Sequence, residues 1–204
     1  TASAPVIALP VAFLGILVLC LWRGRLRWLG LPLAAAVLVW PRAPTPDLWI
    51  GDGGTNAAFH HQAQAVVIRP GVRAFAVDLW SRRRGLTTAD RPEAGWTCDR
   101  SSCRPETPEA GPVALWWGRE APDAEQMADL CRAASVVSVR AAVAALPASC
   151  DGRLVLDGVD FTRGGAVELW RDGVDRWKAV WTADVRGDRP WARQPDPDLS
   201  DSGA

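Results

Sequence analysis

Residues 1–46 constrain the fold most, because they contain two apolar runs separated by a short basic segment. No charged side chain occurs from Thr1 to Trp22, and a second apolar run extends from Leu29 to Trp40. Three arginines occupy residues 23–27, between tryptophans that end the first run and begin the second. Charge-free runs with tryptophan and arginine at their ends are typical of membrane-spanning helices. The sequence therefore predicts a transmembrane helical hairpin over residues 1–46.

Two alternatives to this hairpin are a pair of buried helices in a soluble protein and a signal peptide formed by the second run. Tryptophans beside cationic residues favour anchoring at a membrane interface, because the indole ring is amphipathic. A signal peptide should open the chain, whereas here another apolar run precedes it. The second run, Trp28 to Trp40, is short, since its helix spans about 20 Å against a hydrocarbon core of about 30 Å.

The arginines also predict an orientation. The positive-inside rule puts the basic loop in the cytoplasm, so the rest of the chain lies in the periplasm of a bacterium with an inner membrane. The chain does not begin with Met, and we therefore expect further membrane spans upstream of Thr1.

The remaining chain has the composition of one soluble α/β domain. Four of the 23 basic residues and none of the 23 acidic residues precede Asp47, so residues 47–204 carry a small negative charge. This balance argues against a basic surface that coats nucleic acid. We expect a domain over residues 47–192 and a disordered tail over 193–204, which is rich in Asp, Pro, Ser and Gly.

Short apolar segments bounded by glycine and proline predict most of the secondary structure of this domain. Strands are expected at residues 48–50, 57–59, 65–68, 113–117, 135–139, 153–156, 166–170 and 177–184. Helices are expected over residues 74–85 and 124–132. The first three strands predict an antiparallel meander, and the later order of strand, helix and strand indicates a mixed or parallel sheet. Residues 86–111 read as a polar connection.

Four cysteines of the domain predict two disulfides. An oxidising compartment and the sequence spacing favour the sequential pairs Cys98 with Cys103 and Cys131 with Cys150. Free buried thiols and a four-cysteine zinc site are the alternatives, although neither pair has the CxxC spacing of zinc ribbons. Cys20 lies in the first apolar run as a small hydrophobic residue.

Few side chains indicate a binding site. Arg82, Arg83 and Arg84 end the predicted helix, where cations suit the helix dipole, and they are also weak candidates for phosphate contacts. His60 and His61 are the only histidines, and as neighbours on a strand they face opposite ways.

No catalytic constellation or metal-ligand spacing emerges from the sequence. Asp52, Asp157 and Asp160 occur in segments where turn chemistry explains an aspartate. We therefore predict no catalytic residue, no metal ligand and no cofactor, and we lean towards a protein that is not an enzyme.

Several stretches resemble the C-terminal part of a ComEC-type competence protein, the inner-membrane channel for transforming DNA, in its alphaproteobacterial form. They are WRGRLRWLGLPLAAAVLVWPRAPTPDLWIGDGG from Trp22 to Gly54, the loop between Cys98 and Cys103, and RGDRPW from Arg186 to Trp191. In that family the C-terminal domain is often a metallo-β-lactamase-like nuclease candidate with a DVGQGD-like first strand and an HxHxDH metal motif. Here Ile50 to Gly54 replace the first motif and HxHxDH is absent.

The resemblance implies a reduced metallo-β-lactamase-like fold whose metal site has been lost. It implies a role in uptake of single-stranded DNA, with the domain non-catalytic at the periplasmic mouth of the parent channel. Expected partners are single-stranded DNA, membrane lipid, the upstream spans and other competence proteins. The alternative function is a membrane-anchored periplasmic binding or scaffolding domain with no DNA role.

Overall fold

A computed structural model of the chain describes residues 8–40, 44–173 and 176–187. They fall into two compact units, one within Thr1–Thr45 and Trp80–Leu86 and the other within Pro46–Leu79 and Thr87–Ala204. The predicted tail over residues 193–204 lies outside the described residues.

The described helices are α1 (Ala8–Leu21), α2 (Gly30–Val39), α3 (Ala74–Arg84), α4 (Ala124–Ala133), α5 (Gly158–Gly164) and α6 (Thr182–Arg186). The strands are β1 (Leu48–Ile50), β2 (Ala57–His61), β3 (Gln64–Val67), β4 (Thr87–Asp90), β5 (Trp96–Cys98), β6 (Ser102–Pro105), β7 (Val113–Trp116), β8 (Val136–Val139), β9 (Leu154–Leu156), β10 (Val167–Arg171) and β11 (Trp177–Trp181).

The prediction of two transmembrane helices over residues 1–46 is wrong. The structure has helices there, but none among the described residues is both long enough and apolar enough to cross a membrane. Helix α1 has 14 residues and α2 has 10, which correspond to about 21 Å and about 15 Å against a hydrocarbon core of about 30 Å. Helix α1 ends at Leu21, and the chain turns at Gly24, whose φ is 93°, before a 3-10 turn over Arg25–Leu29. The apolar runs predicted the two helices and the loop between them, but helices of this length do not cross the hydrocarbon core.

Two glycines allow α1 and α2 to pack closely. A Cβ atom added to Gly15 would clash with the backbone of Ala34, and one added to Gly30 would clash with the carbonyl oxygen of Gly15. Because the helices meet through backbone, their large apolar side chains point elsewhere. Eight of these side chains are exposed: Leu9, Phe13, Leu14, Ile16, Leu21, Leu31, Leu33 and Leu38. In the connection between the helices, Trp22, Leu26, Trp28 and Leu29 are also exposed.

The second unit is a small mixed α/β domain with two sheets. The first sheet has the strand order β11-β10-β1-β2-β3-β4 and the second has the order β5-β6-β7-β8-β9. In the first sheet, β3 and β4 are parallel and the other pairs are antiparallel. In the second, β7, β8 and β9 are parallel. The predicted antiparallel meander of β1, β2 and β3 and the predicted parallel pairing are confirmed.

The two sheets pack face to face through one apolar core. The first sheet contributes residues such as Leu48 and Leu169, and the second contributes Val113, Leu115 and Val136. These residues are less than 2% exposed, so the sheets must meet to remove them from water.

A second core lies on the other face of the five-stranded sheet, under α4. Ala114 and Val137 pack there against Met127 and Leu130 of the helix. The strands β7 and β8 are therefore buried on both faces, which explains their continuous apolar runs. Helix α4 begins with a capping box. The backbone N–H of Gln126 donates to the Asp123 carboxylate, and the backbone N–H of Asp123 donates to the side-chain oxygen of Gln126.

Three parts of the domain differ from the sequence prediction. Residues 86–111 were expected to be a polar connection, but they contain β4, β5 and β6. The predicted last strand over residues 177–184 ends at Trp181, and helix α6 follows it. A further helix, α5, follows β9 where only a turn was expected. Both helices have fewer than eight residues, which is too short to show helical periodicity.

The structure contains both disulfides that the sequence favoured. Cys98 and Cys103 lie opposite each other on the antiparallel strands β5 and β6. Cys131 in α4 is joined to Cys150, and their Cα atoms are 4.9 Å apart. Cys20 is an exposed thiol.

Replacing Cys131 and Cys150 together with alanine should lower the free energy of unfolding by about 3 kcal/mol, because the bridge restricts the unfolded chain over a closed loop of moderate length. Urea unfolding of the oxidised protein measures this loss. The matched control is Cys20→Ala, which removes a thiol outside both bridges. Equal free energies of unfolding for the double variant and this control would contradict a stabilising disulfide between Cys131 and Cys150.

Candidate functional site

A cleft lies where the loops that follow β1, β8 and β9 meet. Its volume is about 370 Å³. The residues that line it are Asp52, Gly53, Thr55, Arg73, Arg140, Gly158, Phe161 and Thr162. Ligands of open α/β sheets commonly bind at the carboxyl ends of the strands. This cleft is therefore the first place to search for a binding site.

Asn56 fixes the loop that follows β1. Its side chain is fully buried and makes three hydrogen bonds. The amide group donates to the carbonyl oxygen of Val72 at 2.6 Å, and the side-chain oxygen accepts from the backbone of Ala57 and Arg69 at 2.9 and 3.0 Å. One side chain thus ties the residues after β1 to residues 69–72.

Arg69 adds a second tie to the same loop. Its guanidinium donates to the carbonyl oxygen of Thr55 at 2.7 Å and lies 3.9 Å from the ring centroid of Trp117. Burial lowers the pKa of Arg69, but an arginine keeps its charge at neutral pH. Arg69 therefore has a structural role beneath the cleft, where its charge is met by a carbonyl oxygen and an aromatic ring.

Asp157 fixes the loops that follow β8 and β9. Its carboxylate accepts from the backbone of Val159 and Asp160 in the first turn of α5, and from the backbone of Val143 in the loop after β8 at 2.9 Å. A Cβ atom added to Gly158 would clash with the carbonyl oxygen of Arg140. Glycine at this position therefore lets the two loops come close together.

A buried contact joins these loops to the loop after β1. The hydroxyl of Ser138 donates to the carbonyl oxygen of Gly54 at 3.2 Å. Gly54 has a φ of 64°, and an added Cβ atom would lie 2.6 Å from the ring of Phe161. The two sheets are thus linked beneath the floor of the cleft, which should hold its shape without a ligand.

The charged groups of the cleft are two arginines and one aspartate. Arg73 lies 3.6 Å from the carboxylate of Asp52, and both side chains are about half exposed, at 45% and 57%. Arg140 is exposed, and the structure shows no ion pair between it and another described residue. Arg73 has a φ of 49°, which is uncommon for a residue with a side chain and occurs at functional sites. The cleft carries a surplus of positive charge and suits an anion.

The residues singled out from the sequence are dispersed. Asp52 lines the cleft, whereas Asp157 and Asp160 form the capping box of α5. His60 and His61 are adjacent on β2 and lie outside the cleft. Across the described part of the chain, no group of three or more His, Cys, Asp or Glu residues is placed to hold a metal ion.

The weak phosphate-contact candidates Arg82, Arg83 and Arg84 form the last turn of α3, as predicted. They are not among the residues that line the cleft. The disulfides also lie apart from it. A phosphate contact by the triple arginine therefore stays a prediction.

Sequence reasoning missed Arg73, Arg140 and Asn56. Arg140 follows the apolar strand β8 directly, so the position of a charge at a strand end was a usable signal. Arg73 follows a proline and glycine turn, and its closeness to Asp52 depends on the buried side chain of Asn56. No local pattern indicates that arrangement.

Comparison with known proteins finds no match to this chain among family models, curated proteins or solved structures. The metallo-β-lactamase-like relationship implied by the sequence resemblance gains no support from these comparisons.

Replacing Asn56 with alanine should lower the free energy of unfolding by about 3 kcal/mol, because three hydrogen bonds are lost and buried backbone groups keep no partner. Chemical unfolding followed by circular dichroism measures the change. Thr107→Ala, at an exposed turn position, is the control and should change stability by less than about 0.5 kcal/mol. A loss at Asn56 no larger than that of the control would contradict the role given to this side chain.

Proposed function

We propose that this chain is a non-catalytic domain of a ComEC-type DNA-uptake protein, and that its cleft holds a phosphate group of a single DNA strand. The observation that carries the proposal is the pair of arginines, Arg73 and Arg140, in a cleft built from loops of both sheets. A guanidinium matches the geometry of a phosphate group and keeps its charge at every physiological pH.

Asp52 does not prevent phosphate binding. Its pair with Arg73 is exposed, and exposed ion pairs contribute at most about 1 kcal/mol. Arg73 can therefore exchange the carboxylate for a phosphate at little cost. Thr55 also lines the cleft, and its hydroxyl group is able to donate to a phosphate oxygen. The hydroxyl of Thr162 already donates to the carbonyl oxygen of Gly158 at 2.7 Å.

Binding, and not hydrolysis, is the chemistry that these side chains support. Among the described residues that line the cleft, Asp52 is the one carboxylate and there is no histidine. General acid–base catalysis needs groups held within hydrogen-bond reach of the reacting atoms, and the described lining offers a single carboxylate for that role.

The charge of the domain predicts a local contact with DNA. Residues 47–204 have more acidic than basic residues, so they do not provide a long basic groove. One neutralised phosphate predicts a slope of about −0.7 when the logarithm of the binding constant is plotted against the logarithm of salt concentration. A steeper slope would indicate a larger basic footprint.

The test is binding of a fluorescent single-stranded oligonucleotide, measured by anisotropy between about 50 mM and about 200 mM salt. Arg73→Gln with Arg140→Gln should weaken binding about tenfold or more at the lower concentration, because two charge-assisted contacts are lost. Arg100→Gln with Arg119→Gln is the matched control. It removes the same charge at exposed positions outside the cleft.

If both double variants weaken oligonucleotide binding equally, the loss follows from net charge alone. That result would contradict a binding site in the cleft. If the wild-type protein does not bind the oligonucleotide at low salt, the proposed DNA role is contradicted altogether.

The exposed apolar side chains of α1 and α2 favour a second candidate, a periplasmic binding or scaffolding domain attached to a membrane, with no DNA role. Apolar helices of 14 and 10 residues are short enough to lie in the lipid interface, and Arg27 beside Trp28 suits anionic headgroups.

Vesicles of anionic phospholipid test this second candidate. Phe13→Asp should abolish flotation of the protein with the vesicles, because a charge would enter the apolar interface. Leu146→Asp, which alters an exposed leucine of the other unit, is the control. Flotation that is equally strong in both variants would contradict attachment through the hairpin.

A further inference from the structure

A second cleft lies at the amino ends of the parallel strands, at the opposite end from Arg73 and Arg140. Pro112, Ser135 and Arg153, which line it, directly precede β7, β8 and β9. Its volume is about 400 Å³. Neither the sequence resemblance nor the function proposed above assigns a role to this cleft.

Three arginines from three different elements line the second cleft. Arg132 lies in the last turn of α4, Arg153 precedes β9, and Arg171 ends β10. Among the described residues of the lining there is no Asp or Glu. Three guanidinium groups that line one cleft are able together to hold an anion with more than one negative charge.

Arg132 forms an ion pair with the carboxylate of Asp129, which also pairs with Arg104. Asp129 accepts from Arg132 and from the guanidinium of Arg104 at 3.1 Å. The hydrogen bond from Arg132 lowers the pKa of Asp129, so this carboxylate stays ionised at neutral pH. One negative charge therefore serves two guanidinium groups, and positive charge remains at the edge of the cleft.

Trp177 positions Arg171. The two residues are cross-strand partners on β10 and β11, and the guanidinium lies 5.1 Å from the centroid of the Trp177 ring. Trp177 packs against the apolar core, which restricts its movement. The ring therefore holds Arg171 by a cation–π contact while the charged group stays exposed.

Trp177 also carries an unsatisfied donor. Its indole nitrogen Nε1 is buried and has no hydrogen-bond acceptor, although Trp177 lines the cleft. The Nε1 atom of Trp96 and the hydroxyl of Ser149 are also buried without a partner, so the anion site is argued from the arginines and from the ring that holds Arg171.

We propose that this second cleft binds a phosphorylated ligand with at least two negative charges, held by Arg132, Arg153 and Arg171. The diphosphate group of a free nucleotide and the phosphodiester backbone of a nucleic acid strand share this chemistry. The proposal goes beyond the function proposed above, since a nucleotide site requires no role in DNA uptake.

Calorimetric titration of the full chain tests the proposal with three probes: inorganic diphosphate, adenosine diphosphate and a single-stranded oligonucleotide of about ten nucleotides. Arg132→Gln with Arg171→Gln should weaken diphosphate binding about tenfold or more, because two charge-assisted contacts are lost. Arg100→Gln with Arg119→Gln is the charge-matched control. Each single variant should lose about threefold or more, which preserves the test if the double variant unfolds.

The probes distinguish the two sources. If the wild-type protein binds both inorganic diphosphate and adenosine diphosphate tightly, the cleft is a nucleotide site. If the variants lose affinity for the oligonucleotide alone, it is a strand-binding site. Unchanged affinity for all three probes in the Arg132 and Arg171 variants would overturn the proposal.

This failure is separable from failure of the proposed function. If Arg73→Gln with Arg140→Gln weakens oligonucleotide binding while the second-cleft variants bind all three probes as the wild type does, only the second cleft is rejected. If the second-cleft variants alone weaken binding, the first cleft is rejected and the present proposal stands.

Discussion

The burial of two apolar sheet faces against each other is the constraint on which the domain depends. Leu48 and Leu169 of one sheet and Val113 and Val136 of the other are almost completely removed from water. This burial is the dominant favourable term in folding. It also fixes where the ends of the strands lie, and with them the loops. Both clefts are consequences of this packing, one at each end of the parallel strands.

Buried polar groups then turn loosely specified loops into fixed ones. Asn56 has no access to water, so its three hydrogen bonds hold one arrangement of the loop after β1. Asp157 does the same for the loops after β8 and β9. At the other end, Trp177 combines packing against the core with a contact to Arg171. The arginines are thus presented by rigid supports, which reduces the entropy that a ligand must overcome.

The sequence predicted those elements whose pattern is local and apolar. The meander of β1 to β3, the parallel pair β7 and β8, and helix α4 follow from apolar runs and turn residues. Strands β4 to β6 escaped prediction because they are short and most of their residues are polar. Helix α5 begins at a capping box that resembles a turn.

The first cleft escaped prediction for a related reason. Arg73 and Arg140 are 67 positions apart in the printed sequence and meet only through sheet topology. In the hairpin, the apolar runs and the arginines between them indicated two helices and a loop, but α1 and α2 are shorter than the apolar runs that contain them.

The central claim is that the cleft at the carboxyl ends of the strands holds a phosphate group of a nucleic acid strand. The most direct measurement is nuclear magnetic resonance of nitrogen-labelled protein titrated with a single-stranded oligonucleotide. The account predicts that amide signals shift in the three loops that follow β1, β8 and β9. Saturating oligonucleotide that leaves all three loops unshifted would contradict it.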